Sequence, residues 1–165
     1  MCVCSLPRGL VKILAIDPGV NNLGVSVFDS RGLLFAFLLP VDSIASAGKK
    51  LLQPEYLLDN VTKAVIEKPQ VYKVNAKGGD NNDLVDVARV VGSLEKLCFD
   101  AYGIQPDTPW PATWKKQVPK LIMIERIKER LNEYERTRVR LPRQRELAHN
   151  VWDAIGIGLW ATGRL

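Results

Sequence analysis

Two carboxylates in this chain close apolar runs. Asp17 ends KILAID and is followed by Pro-Gly, and Glu67 ends AVIE and is followed by Lys-Pro. A buried carboxylate without a charged or hydrogen-bonding partner is costly. Asp-Pro-Gly alone is ordinary turn chemistry, but the same placement twice calls for a second explanation. A third acid, Asp153, lies in HNVWDAIGIGLW (149–160). At about 100° per residue, Val151, Ala154, Ile155, Gly158 and Leu159 fan across one side of a helix. His149, Asp153, Gly156 and Trp160 form a stripe on the other side, with Glu146 one turn further back and Asn150 beside it. Asp153 therefore lies off the apolar face, one turn from the only histidine. Acids and an imidazole gathered from two strand ends and a helix suit hard divalent cations such as Mg²⁺, which takes oxygen ligands and keeps some waters. Two such ions about 4 Å apart can clamp a phosphodiester for hydrolysis. They also relieve the repulsion among the carboxylates.

The elements that must position these groups follow from the apolar patterning. Residues 11–17, 23–29 and 33–39 read as three strands of an antiparallel meander, joined by PGVNN and SRG. Residues 47–63 suit a helix, with Pro54 near its start or interrupting it, and 64–67 a fourth strand. Apolar residues at 84, 87, 88, 91, 94 and 97 predict a helix over 82–102, capped by Asn82 or Asp83. A short fifth strand is expected over 108–110, between prolines 106, 109 and 111. A second amphipathic helix is expected over 119–136, with Ile124, Ile127, Leu131 and Tyr134 on one side and Pro119 in its first turn. The last helix is expected over 143–162, with Gly163 just past its end. The sum is a small α/β domain: three strands, helix, strand, helix, strand, helices. Its length, 165 residues, fits one domain, and residues 1–10 read as a frayed extension.

With 47% hydrophobic and 25% charged residues the composition is that of a globular protein, not a disordered one. No apolar run approaches the roughly 20 residues that span a bilayer, and MCVCSLPRGL lacks the apolar stretch of a secretory signal. Cys2, Cys4 and Cys98 have no framework spacing, so reduced thiols in a cytoplasmic protein are expected. The formal charge of +5 is unevenly spread. Residues 115–145 hold eleven Lys/Arg against four Asp/Glu, leaving the rest of the chain slightly negative. TRVRLPRQR (137–145) has four arginines and no acid. Such asymmetry suits a polyanion-binding surface, nucleic acid first among candidates, while a solvated helix laced with ion pairs would leave a similar pattern.

ILAIDPGVNNLGVSVFD, AVIEKP, the WKKQVPK segment (114–120) and WDAIGIGLW, in that order, resemble the RuvC family of Holliday-junction resolvases within the ribonuclease H-like superfamily, closest to bacteriophage-encoded members. The resemblance spans roughly 11–162. It implies an α/β ribonuclease H-like fold, a mixed five-stranded sheet (three antiparallel strands followed by parallel ones) flanked by helices. It implies a homodimer that binds four-way and other branched DNA and makes paired symmetric nicks leaving 5′-phosphate and 3′-hydroxyl ends. It implies dependence on Mg²⁺, with Mn²⁺ as a substitute and two ions per site, no small-molecule cofactor, and the host cytoplasm for a phage enzyme. By motif, Asp17, Glu67 and Asp153 become metal ligands and catalytic residues. His149 is taken as the fourth, because an imidazole ligates metal or handles a proton; Asn150 and Glu146 stay open as alternatives. The segment 71–83 corresponds to the family's junction-reaching loop, where Tyr72 stacks on an unpaired base and Lys73 and Lys77 meet phosphates. Lys115, Lys116, Lys120, Arg138, Arg140 and Arg143 complete the expected DNA contacts, and the apolar stripe of helix 82–102 becomes the dimer surface. A nuclease of the same fold acting on structured RNA and a non-catalytic junction-binding module are the competing functions. An actin-like kinase or ATPase would need a second domain for which this length leaves no room.

Overall fold

The computed structural model describes residues 11–43, 46, 50–51, 60–70 and 81–165, with the side chains of 81 and 82 excepted. The elements in chain order are β1 (Lys12–Asp17), β2 (Asn22–Asp29), β3 (Gly32–Pro40), β4 (Val61–Ile66), α1 (Asn81–Tyr102), α2 (Pro111–Trp114), α3 (Lys120–Arg130), α4 (Glu133–Arg136), β5 (Val139–Arg140) and α5 (Ala148–Ala161). The strands form one sheet in the order β4-β1-β2-β3-β5. β1, β2 and β3 make the expected antiparallel meander, while β4 runs parallel to β1 and β5 parallel to β3.

Period-two alternation sends successive side chains to opposite faces, and two cores result. Leu14, Ile16, Leu23, Val25, Val27, Ala64 and Ile66 pack under α1 with Val90, Val91, Leu94 and Cys98. Ile13, Ala15, Phe28, Leu33, Ala36 and Val65 pack under α5, where Trp114, Met123 and Ile127 join them. The sheet is thus covered on both faces. Burial and the nearby Glu95 push the Cys98 thiol up to about 11, which marks it as unreactive packing.

Four expectations change. The fifth strand is not 108–110. There the prolines at 106, 109 and 111 leave too few donors for a ladder, and a single parallel bridge, Val65 to Asp107, survives beyond β4. The sheet gains its fifth member on the other edge, from the arginine-rich stretch. Second, residues 61–63 belong to β4, so the helix expected over 47–63 stops short of them. Lys50 and Leu51 are helical, and most of that segment lies outside the described residues. Third, the helix expected over 119–136 is two helices. Leu131 turns extended (ψ 131°), and Asn132 restarts the chain with a capping box: its side chain accepts from the Glu135 N–H, while Glu135 accepts from its own N–H. Tyr134 is consequently exposed. Fourth, the last helix begins at Ala148, after a 3₁₀ turn over Arg145–Leu147. Its end is as expected: Gly163 adopts φ 71°, its N–H reaches Trp160, and the Arg164 N–H reaches Leu159, a Schellman motif. The expected frayed segment 1–10, with Cys2 and Cys4, lies outside the described residues.

The predicted stripe of α1 is divided. Val91 and Leu94 are buried against the sheet, Leu84, Val87 and Leu97 are half-buried and Ala88 is exposed, so most of the stripe packs on its own sheet; Val85 and Phe99, which lie off that stripe, stand out at 59% and 62% exposure. Among the described residues no helix is long and apolar enough to cross a membrane.

The capping box has a second task. Glu135, 1% exposed, receives both Arg164 guanidinium nitrogens at 2.6 and 2.8 Å and the Leu33 N–H at 2.8 Å. This ties the end of α5 to the β2–β3 turn. Although burial pulls the other way, these donors hold the Glu135 carboxyl down at about 2. A carboxyl depressed on folding stabilises above its ordinary titration range, and that stability fades as pH falls toward the folded value. Arg164→Ala should therefore cost about 3 kcal/mol at pH 7, since it strands a buried charge. Urea unfolding should show this deficit shrinking between about pH 4.5 and 2, where the wild type loses the same contribution.

Candidate metal site

β1 and β4 are parallel with Ile16 beside Ile66, and the Glu67 N–H donates to the Ile16 carbonyl at 3.0 Å. Both strands therefore end at the same edge, and Asp17 and Glu67 are the next residues along. Alternation then decides their face. Asp17 follows Ile13 and Ala15, and Glu67 follows Val65, all on the α5 side. The acids are delivered to the face that α5 covers.

α5 can lie low over this edge because Gly24, the cross-strand partner of Asp17, has no side chain. A Cβ there would fall 1.9 Å from the Asn150 carbonyl oxygen and 3.3 Å from the Ala154 Cβ. Ser26 adds a hydroxyl bond to the Ala154 carbonyl at 2.8 Å. The helix is thereby pinned with Asp153 beside the strand ends. Gly156, one turn on, faces not solvent but Trp114, whose ring and Ile127 fill the place of its missing side chain. The stripe read from sequence as the helix's other side is thus covered by a second layer, α2 and α3.

Asp17, Glu67 and Asp153 act on one another as a single charged group. The Asp17 carboxyl is held well above the usual carboxylate range, first by burial, then by Asp153 and Glu67, against the opposing pull of Lys115 and Lys120. Glu67 is raised as well, by burial and to a lesser degree by Asp153, while Lys115 and a hydrogen bond from Trp114 oppose the rise. The indole Nε1 donates to Glu67 Oε2 at 2.6 Å. The Lys115 ammonium lies 3.5 Å from the same oxygen and 3.8 Å from Asp153 Oδ2, over the Trp114 ring at 4.8 Å.

This donor set has the chemistry of a divalent-cation site: hard oxygens, clustered, and disfavoured as bare anions. Among the described residues, no three His, Cys, Asp or Glu side chains are drawn together tightly enough to enclose an ion as they stand. The cation now among them is Lys115.

Other predicted residues fall as follows. His149 lies one turn before Asp153 with Nδ1 on the Glu146 carbonyl at 2.5 Å. A carbonyl only accepts, so Nδ1–H is the donor in this contact, and Nε2 is the ring nitrogen it does not engage. Asn150 sits at the Gly24 crossing, and Glu146 is exposed in the 3₁₀ turn. Tyr72, Lys73 and Lys77 lie outside the described residues. Lys115 is drawn into the acidic cluster, whereas Lys116 and Lys120 are exposed. Arg138 stacks on Tyr134 and bonds its hydroxyl. Arg140 and Arg143 line a groove with Asn22, Phe37 and Gln144. Sequence reasoning missed Trp114, which reads as one more core aromatic; its place beside Lys115 was the available signal.

No family model matches the chain, and no curated protein does. Several solved structures match over nearly the whole chain, among them two of a bacterial RuvC. The Thermus thermophilus RuvC in complex with Holliday junction substrate shares 17% identity at TM-score 0.60, covering 90% of this chain and 91% of the other. A second Thermus thermophilus RuvC structure shares 16% at TM-score 0.57, covering 93% and 96%. The fold is ribonuclease H-like. A mixed five-stranded sheet flanked by helices is what the RuvC resemblance implied, and it is the fold class shared with these structures.

The mutual repulsion sets a measurable cost. A carboxyl raised on folding destabilises as pH rises from its unfolded value through its folded one. In EDTA, Asp17→Asn should therefore raise the melting temperature at pH 7–8 by about 2–4 °C per kcal/mol of repulsion removed. The gain should vanish below about pH 4, where Asp17 is protonated in both states.

Proposed function

We propose that this chain is a single-domain, metal-dependent endonuclease that resolves four-way and other branched DNA junctions. The observation that carries the reading is the convergence of Asp17, Glu67 and Asp153 on one edge of a ribonuclease H-like sheet, each raised or flanked by its neighbours' charge. A protein spends stability on such a cluster for function.

In this reading Asp17, Glu67 and Asp153 hold Mg²⁺ or Mn²⁺, two ions per site, with His149 Nε2 as the fourth ligand. Bound there, the cations supply charge neutralisation of the phosphodiester and activation of the attacking water, giving 5′-phosphate and 3′-hydroxyl ends. The protein's own part is to hold the carboxylates on one face, to keep Trp114 and the α5 backbone over them against bulk water, and to orient the histidine ring through the Glu146 carbonyl. Lys116 and Lys120 flank the edge, and Arg138, Arg140 and Arg143 extend the positive surface toward β5 for phosphate contacts. Tyr72, Lys73 and Lys77 take the junction-centre role. Paired nicks need two sites, and the outer face of α1, with Val85 and Phe99 exposed and Gly92 open, is the proposed homodimer surface. The protein is assigned to the cytoplasm, that of the host for a phage enzyme.

A synthetic four-way DNA junction should be nicked symmetrically with Mg²⁺ and left intact with EDTA, and junction binding should persist in Ca²⁺. Asp153→Asn should abolish nicking while junction affinity holds or rises, because a negative charge facing phosphates is removed. Full cleavage by that variant overturns the site. Cleavage of structured RNA in preference to the junction reassigns the substrate, and binding without cleavage leaves a junction-binding module. Phe99→Glu should shift sedimentation from dimer to monomer with little change in melting temperature.

A further inference from the structure

We propose that Trp114 is the positioning residue of the carboxylate site: its indole fixes Glu67, and its ring sets the gap between β4 and α5. This rests on the divalent-cation reading above and adds a residue to it.

Three contacts converge on this side chain. Its Nε1–H, a group that only donates, lies 2.6 Å from Glu67 Oε2. Its ring occupies the space left by Gly156, where a Cβ would come within 2.5 Å of Cζ3. Its face carries the Lys115 ammonium at 4.8 Å, the same ammonium that reaches Glu67 and Asp153. At 3% exposure the indole has no water to turn to, so the bond to Glu67 is the outlet for its donor.

The consequence is a division of labour between the two Glu67 oxygens. Oε2 is committed to the indole and the ammonium, and Oε1 is the oxygen presented to a cation. The ring meanwhile acts as a spacer from the end of β4 to the helix turn that bears Asp153. Glycine at 156 is part of the device, since any side chain there would displace the ring. Groups that orient metal ligands in this way typically change metal affinity 10–100-fold when removed.

Trp114→Phe deletes the donor together with the outer ring edge that meets Gly156. The expected result is wild-type folding and unchanged junction binding in Ca²⁺. The Mg²⁺ concentration for half-maximal nicking should rise at least about tenfold. Calorimetric Mn²⁺ binding should weaken by a similar factor. An unchanged Mg²⁺ requirement and unchanged Mn²⁺ affinity overturn the proposal and leave the nuclease reading standing. Weakened Mn²⁺ binding in a protein that cleaves neither junction nor RNA supports the proposal and overturns the function. No divalent binding by the wild type overturns both. If Trp114→Phe does not fold, the four indole N–H signals of the ¹⁵N-labelled wild type decide. One exchange-protected indole that Mn²⁺ broadens ahead of the rest supports the assignment, and equal broadening of all four overturns it.

Discussion

The in-register parallel pairing of β1 with β4 is the constraint on which the site depends. Two strands that run the same way and stop together must leave their next residues side by side, and here both are acids. Antiparallel pairing would have sent them to opposite edges; a one-residue slip would have turned one of them to the α1 face. Nothing in the local chemistry of Asp-Pro-Gly or Glu-Lys-Pro requires this meeting. The sheet enforces it, and the fully buried neighbours Leu14, Ala15, Ile16, Val65 and Ile66 hold the register.

Against that enforced repulsion the protein sets close packing and a few cations. α5 touches the sheet backbone at Gly24 and receives a hydroxyl from Ser26, so Asp153 cannot retreat from Asp17 by tilting the helix. Trp114 closes the same space from above. Lys115 offsets part of the charge at 3.5–3.8 Å, where attraction in a partly desolvated setting is appreciable. The far end of α5 is tied independently by Glu135 and Arg164. The helix is thus fixed at both ends, and strain at the acidic end has no easy release through rigid-body motion.

Much of this was legible in the sequence, because the signals involved are periodic. Alternation marked the meander; the 3.6-residue period marked α1 and α5; acids closing apolar runs marked Asp17 and Glu67. What escaped was set by contacts between distant segments. β5 is two residues long and lies among arginines, so it has no pattern of its own and exists because β3 offers Ala36 and Phe37 as partners. The break at Leu131 was hidden by an apolar period that runs on through it, although Asn132 and Glu135 stand at capping-box spacing and could have disclosed it. Gly156 looked like part of an open stripe because a wheel shows directions, not what lies along them. Trp114 reads as one more core aromatic, and the lysine beside it was the sole local hint that its indole would face a carboxylate.

The short strand β5 has one more implication. It occupies an outer edge of the sheet, where unpaired backbone groups invite strands from other molecules. Its two residues sit between Arg138 and Arg143, with Arg140 exposed and Pro142 close behind. Like charges and a proline on so brief an edge resist stacking against a second copy. The arginines proposed for phosphates are therefore also gatekeepers of solubility, and any polyanion that covers them shields the border most open to aggregation.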